Sequence, residues 1–303
     1  MRLRSLTHPT PLVAVVLGSG IIAWSAIFVR LADVSVTTAA LYRCAYAVPP
    51  LLLLTLLRLR GGQQSRLTRR QWFWASLAGA SFGADLVLWH VSIDSVGAGL
   101  ATVLGNTQVL IVPLVAWIAW GERPHVRQLA ALPILTGGIV LIAGVVGGAS
   151  FGDAPLLGAV TGVLTGVAYA GFLLCLRAGR VGGESPVAAL AIATTVAAIV
   201  SGLAGLVSGD LEPIPSWPAH GWLILLALSC QVLAWLLIAT SLVRIRAAQV
   251  SITLLIQPVT ALFLGVLVLA EDPSAWQWTG AAIALVGILI GARTAPSPAE
   301  RSS

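Results

Sequence analysis

Ten stretches of about twenty apolar residues, parted by short polar breaks, govern what this chain can fold into. They run near 12–32, 37–57, 72–92, 98–120, 128–148, 155–176, 187–207, 221–243, 248–270 and 275–292. A helix needs roughly 20 mostly apolar residues to cross the hydrocarbon core of a bilayer. Barrel strands would instead alternate over about ten residues, which these runs do not. The sequence therefore predicts an all-α integral membrane protein of about ten transmembrane helices. Charged residues make up only 9% of the 303, against about 25% in soluble proteins, and the mean hydropathy is +0.95. The first run is too long for the apolar core of a signal peptide and is read as a span.

Charge placement predicts the orientation. All seventeen basic residues are arginines. With the N-terminus cytoplasmic, Arg2, Arg4, Arg58, Arg60, Arg66, Arg69, Arg70, Arg123, Arg127, Arg177, Arg180, Arg244, Arg246, Arg293 and Arg301 all fall inside. The outer loops then collect Asp33, Asp94, Asp153, Asp210, Glu212, Glu271 and Asp272. This obeys the positive-inside rule at every inner loop and requires both termini to be cytoplasmic. The net charge of +6 thus reflects topology and gives no reason to expect nucleic acid as a partner.

The second half repeats the first. An offset of 149 residues lays Gln108 on Gln257, Glu122 on Glu271, Pro124 on Pro273, Gln128 on Gln277 and Gly138 on Gly287. Ser92 also falls on Ser241, and Ala98 on Ala247. The two units are 1–150, with helices 1–5, and 151–303, with helices 6–10 and a short Pro/Ser/Ala tail. Five is odd, so the halves face opposite ways across the membrane. Inverted repeats are a recurring transporter architecture, with the substrate site near the midplane where the repeats meet.

On these residues the chain resembles the EamA-type transporters of the drug/metabolite transporter superfamily. The resemblance covers 12–292 and rests on Gly121-Glu122-Arg123-Pro124, Ala270-Glu271-Asp272-Pro273 and Gln257-Pro258. It implies that helices 1–4 and 6–9 surround a cavity while helices 5 and 10 pack outside. It also implies alternating access and, in many members, export of amino acids, nucleosides or drug-like amphipathic compounds. One departure is visible: the proline usual midway along the fourth helix matches Pro258, but the first half has Val109 there and Pro113 four residues on. A different kink is expected in each half.

Polar residues at membrane depth are costly and therefore mark candidate sites. Arg43 and Asp85 are predicted at similar depths in helices 2 and 3, where they would meet as a buried ion pair. That pair is either structural or, with Asp85 gaining and losing a proton, the seat of coupling to a proton gradient. Gln108 and Gln257, related by the repeat, lie near the midplane with Asn106; they either line the cavity for a zwitterionic or hydroxylated ligand or hold the halves together. Thr253 and Gln249 extend the Gln257 stripe. Trp24, Tyr46, Trp89, Tyr169 and Trp235 are the candidate apolar walls. Trp72, Trp74, Trp120, Trp217, Trp222, Trp276 and Trp278 fit an interfacial belt.

His90 is expected to be structural, and Arg30 to cap helix 1 or pair with Asp33. Gly158, Gly162 and Gly166 recur every four residues, a spacing that admits close helix packing. Two matches to the serine-hydrolase elbow, Gly79–Gly83 and Gly148–Gly152, lack the strand–turn–helix context it needs. Cys44, Cys175 and Cys230 have no metal spacing, and no phosphate-binding loop is present. No cofactor, metal or catalytic residue is expected. The function expected is secondary transport of a small amphipathic metabolite (an amino acid, nucleoside or drug-like compound) in the export direction, with uptake as the alternative and an intramembrane enzyme or receptor as the reading from another class. The absence of lysine and the wealth of alanine and arginine fit a GC-rich bacterial genome, which places the chain in a plasma (inner) membrane with lipid as its surroundings.

Overall fold

The computed structural model describes residues 11–62, 67–120, 126–142, 152–179, 186–214, 216–241, 254 and 256–292. Every regular element among them is helical. In chain order these are α1 (Pro11–Ala32), α2 (Val36–Arg60), α3 (Arg69–Val96), α4 (98–120), α5 (Val126–Ile142), α6 (Pro155–Gly179), α7 (Pro186–Ser208), α8 (219–241), α9 (Ile256–Leu269) and α10 (Ala275–Ala292). Six of them, α1–α3 and α6–α8, are long and apolar enough to cross a membrane; the other four contain shorter apolar helices. The expected extensions of the fifth run to 148 and of the ninth back to 248 lie outside the described residues, as do Glu122, Gln249 and Thr253.

Local sequence explains where these helices start and break. Ser35 accepts from the Thr38 N–H at 3.3 Å and opens α2. Thr68 and Gln71 form a reciprocal capping box at α3, and Ser274 with Gln277 repeats it at α10, with bonds of 3.0 and 3.3 Å. Gly97, at φ +87°, makes the tight corner between α3 and α4. Helix α2 is interrupted at Tyr46-Ala47, just before Pro49-Pro50, where two prolines remove successive N–H donors.

The predicted difference between the two halves takes an unexpected form. Helix α4 breaks at Asn106-Thr107, with no proline at the break. The Asn106 side chain donates to the Thr102 carbonyl at 2.8 Å. The Asn106 N–H meanwhile divides between Thr102 and Val103, at 3.3 and 3.2 Å. A side chain competing for the helical carbonyls loosens the ladder without a proline.

Packing follows the small residues. A Cβ on Gly158, Gly162 or Gly166 of α6 would collide with Val96, Leu104 or Thr107, so bare glycine lets α6 lie against the α3–α4 corner and α4. Helices α5 and α10 pack chiefly on each other, where a Cβ on Gly138 would lie 2.7 Å from the Gly280 carbonyl. Neither helix lines the central cavity. The lateral surface is apolar: Ile118, Phe73 and Val207 are 85%, 60% and 90% exposed. Such residues suit hydrocarbon rather than water. Trp72, Trp217 and Trp276 are exposed near helix ends, as an interfacial belt requires.

Candidate functional site

The helices converge on a cavity of about 60 Å³ lined from α1–α4 and from α6, α8 and α9. A protein cavity that takes up benzene measures roughly 150 Å³, so this one is smaller than a single aromatic ring requires there. Its guanidinium and its carboxylate are those of Arg43 and Asp85, 3% and 6% exposed. The expected ion pair between them is absent; Arg30 and Asp94, 3.2 Å apart, form an ion pair elsewhere. Other partners hold the guanidinium instead. Its Nε donates to Gln231 Oε1 at 3.2 Å, and its carbon lies 5.9 Å from the centre of the Phe82 ring and 5.7 Å from that of Trp89. Cation–π contact and a neutral amide thus hold Arg43 in place, leaving Asp85 as a separate buried carboxylate.

The remaining lining is unusually rich in unspent polarity. Asn106 Oδ1, Thr165 Oγ1, Trp235 Nε1 and Gln257 Nε2 are buried without a hydrogen-bond partner, and all four residues face this cavity. Buried polar atoms left unpaired cost about 1–3 kcal/mol each. Their concentration around one void means that the void is shaped for a polar guest or for water. Aromatic rings close its other side: Trp235 and Phe172 lie 5.0 Å apart, Phe82 and Phe172 4.6 Å, and Tyr169 stacks on Phe172.

Of the residues singled out from sequence, Arg43, Asp85, Trp89, Asn106, Tyr169, Trp235 and Gln257 border the cavity. Three others lie elsewhere. Trp24 is 40% exposed and stacks on Phe28 at the lateral surface. Tyr46 hydrogen-bonds His220 across the α2–α8 contact at 2.5 Å. Gln108 is buried, with Nε2 unpartnered, but does not border the void, so the repeat-related amides are not equivalent. Residues missed by sequence reading include Phe82, Thr102, Thr165 and above all Gln231. Thr102 and Thr165 stand one turn from Asn106 and Tyr169, a spacing that was available as a signal. The 149-residue offset lays Gln231 on Phe82, so repeat symmetry concealed it.

The acidic end of the bundle is closed by bonds between segments. Glu271, expected in a loop, is only 7% exposed. Its carboxylate accepts from the Ala98 and Gly99 N–H groups at 2.6 and 3.3 Å, capping α4 from the α9–α10 corner. Glu212 accepts from the Ser35 N–H at 3.1 Å, and Thr37 donates to Asp210 at 2.8 Å. The Ser208 hydroxyl, and secondly that of Thr37, hold the Asp210 carboxyl below its ordinary value against the opposing effect of burial. Arg30 takes Asp94 rather than Asp33; Asp33 is the left-handed C-cap residue of α1, at φ +49°. His90 turns Nδ1 to the Leu86 carbonyl at 2.5 Å, a structural bond within α3.

Comparison with known proteins agrees with this architecture. A crystal structure described only as that of a protein superposes with a TM-score of 0.63 at 16% identity, over 93% of this chain and 99% of its own; that likeness concerns the fold. Two curated proteins, each named "Probable 4-amino-4-deoxy-L-arabinose-phosphoundecaprenol flippase subunit ArnE", come from Salmonella paratyphi C and Salmonella choleraesuis. Each is 27% identical over 77 residues, 25% of this chain and 69% of its own length. The EamA-like transporter family model matches twice, over residues 10–144 and 156–292. The chain belongs to the EamA-like transporter family, as a multi-pass membrane transporter built from two EamA repeats.

Proposed function

We propose that this protein is a secondary transporter that exports a small amphipathic metabolite by alternating access. In this reading ten helices form two inverted five-helix halves, 1–150 and 151–303. Both termini are cytoplasmic, and the membrane is the plasma (inner) membrane. The observation that carries it is the cavity itself. Two opposite buried charges, Arg43 and Asp85, face one void without pairing, beside four unpartnered polar atoms and a wall of aromatic rings.

That set of groups favours a zwitterion with an apolar body, such as an amino acid. Arg43 would take its carboxylate and Asp85 its ammonium. Asn106, Gln257 and Trp235 would complete its polar contacts, and Tyr169 and Trp89 would flank the body. Asp85, free of any ion pair among the described residues, is the carboxylate at which a proton would couple to the cycle. The cargo in the curated relatives' name, an amino sugar carried on a lipid phosphate, also combines an amine with an anion and is the second reading.

The test is an untargeted comparison of metabolites in the medium of cells expressing the intact protein, Asp85→Asn or Arg43→Leu, with membrane lipids analysed in parallel. An amino acid enriched outside only with the intact protein supports the proposal. A change confined to lipids would favour the second reading, and depletion from the medium would reverse the direction.

A further inference from the structure

Resting on that zwitterion reading, we infer that Gln231 sets the charge preference of the cavity, by fixing Arg43 through a neutral amide that leaves its positive charge available to an anionic group. Gln231 is wholly buried in the π-helical turn Leu226–Ala234 of α8. Its Oε1 accepts from Arg43 Nε at 3.2 Å, while its Nε2 donates to Thr194 Oγ1 of α7 at 3.2 Å. The first bond fixes the second, because Arg43 Nε–H can only donate whereas the Thr194 hydroxyl can donate or accept. The carbonyl oxygen must face Arg43, since the opposite amide orientation would turn N–H groups toward a cation, and the amino group is thereby committed to the Thr194 hydroxyl.

A guanidinium has five N–H donors. Only Nε–H is used in a hydrogen bond to a side chain among the described residues, and Arg43 borders the cavity. Holding an arginine at one edge with an uncharged acceptor orients its planar fork while leaving its charge uncompensated. With Asp85 ionised, the cavity then carries one positive and one negative group, a sum of zero that suits a zwitterion. A carboxylate at 231 would have almost the same shape but would neutralise Arg43 where the amide merely aims it, and Asp85 would dominate the cavity. The wide π-helical turn is a local feature often found at functional sites, and here it carries the amide that reaches across to α2.

Gln231 is thus a positioning and specificity-determining residue that acts through Arg43. Purified protein in nanodiscs is titrated with L-phenylalanine, 2-phenylethylamine and 3-phenylpropionate, which share one aromatic body but carry both charges, the ammonium alone or the carboxylate alone. Ligand-dependent thermal stabilisation is the readout. The intact protein should prefer phenylalanine. Gln231→Glu should lose phenylalanine affinity by about tenfold or more and come to prefer 2-phenylethylamine. Gln231→Met, neutral and similar in size, should bind more weakly with its preference unchanged.

If Gln231→Glu fails to fold, Gln231→Asp carries the same charge on a shorter stem. A purely structural role would weaken all three ligands alike, so an unchanged preference in the acidic variant overturns the inference while leaving the site intact. If no probe stabilises the intact protein, the zwitterion reading falls and this inference with it.

Discussion

Replacing Glu271 probes how the acidic end of the molecule is held shut. Its carboxylate satisfies two backbone donors, Ala98 N–H at 2.6 Å and Gly99 N–H at 3.3 Å. Ala98 is fully buried. In Glu271→Ala both donors lose their partner, at a cost of about 1–3 kcal/mol for each unsatisfied group. The favourable placement of negative charge at a helix N-terminus, worth about 0.3–2 kcal/mol, is lost as well. Relief of the buried charge offsets part of this, leaving a destabilisation of about 2–4 kcal/mol.

Glu271→Gln keeps one acceptor and should lose about half as much. At roughly 2 °C per kcal/mol for a chain of this size, thermal unfolding in detergent should fall by about 4–8 °C for alanine and about 2–4 °C for glutamine. Hydrogen exchange should localise the change, with the amides of Ala98 and Gly99 exchanging faster than those of α7. An unaltered midpoint with unchanged exchange at Ala98 and Gly99 would refute the cap.

Other perturbations test neighbouring parts of the structure. Ala270 sits at φ +52°, a conformation that costs a non-glycine residue about 1–2 kcal/mol, so Ala270→Gly should raise the unfolding midpoint by about 1–2 °C after its entropy cost; a fall would show that the strain is absent. Gly162→Leu should abolish folded expression, because its Cβ would lie 2.6 Å from that of Leu104, whereas Gly20→Ala, with nothing within 4 Å of the added atom, should fold normally. Size-exclusion profiles separate the two. Asp210 is held below its ordinary value of 3.8 by the Ser208 and Thr37 hydroxyls. The stability from its bonds is therefore present above about pH 3.8 and is lost as pH falls through the lower folded value. Thr37→Val should weaken the protein near neutrality and make less difference at acid pH, read from unfolding midpoints across pH.

Depth was legible in the sequence and rotation was not. Counting along each apolar run matched Arg43 in depth with Asp85 and put Asn106 and Gln257 near the midplane, and all four border the cavity. The same counting put Trp24 and Tyr46 at that level, yet Trp24 turns to the lateral surface and Tyr46 to His220. In a membrane protein the core and the lipid are both apolar, so hydrophobic periodicity barely reports which face points inward. Only packed neighbours decide it, as Gly158, Gly162 and Gly166 do for α6.

The ion pair between Arg43 and Asp85 was overestimated for a related reason. Charge attraction was visible, but the competing partner, Gln231, came from a distant helix in a π-helical turn that apolar sequence does not announce. The buried Glu271 was hidden by its loop position, since no helical pattern signals a carboxylate folding back onto Ala98.

The central claim is that Arg43 and Asp85 together bind a transported zwitterion. Proteoliposomes loaded with an equimolar mixture of the twenty amino acids test it directly, with efflux followed by mass spectrometry for the intact protein, Arg43→Leu, Asp85→Asn and empty vesicles. At least one amino acid with an apolar or aromatic side chain should leave faster through the intact protein than through either variant or the bare bilayer. If every amino acid leaves all four preparations at the same rate, the two side chains do not form an amino-acid transport site.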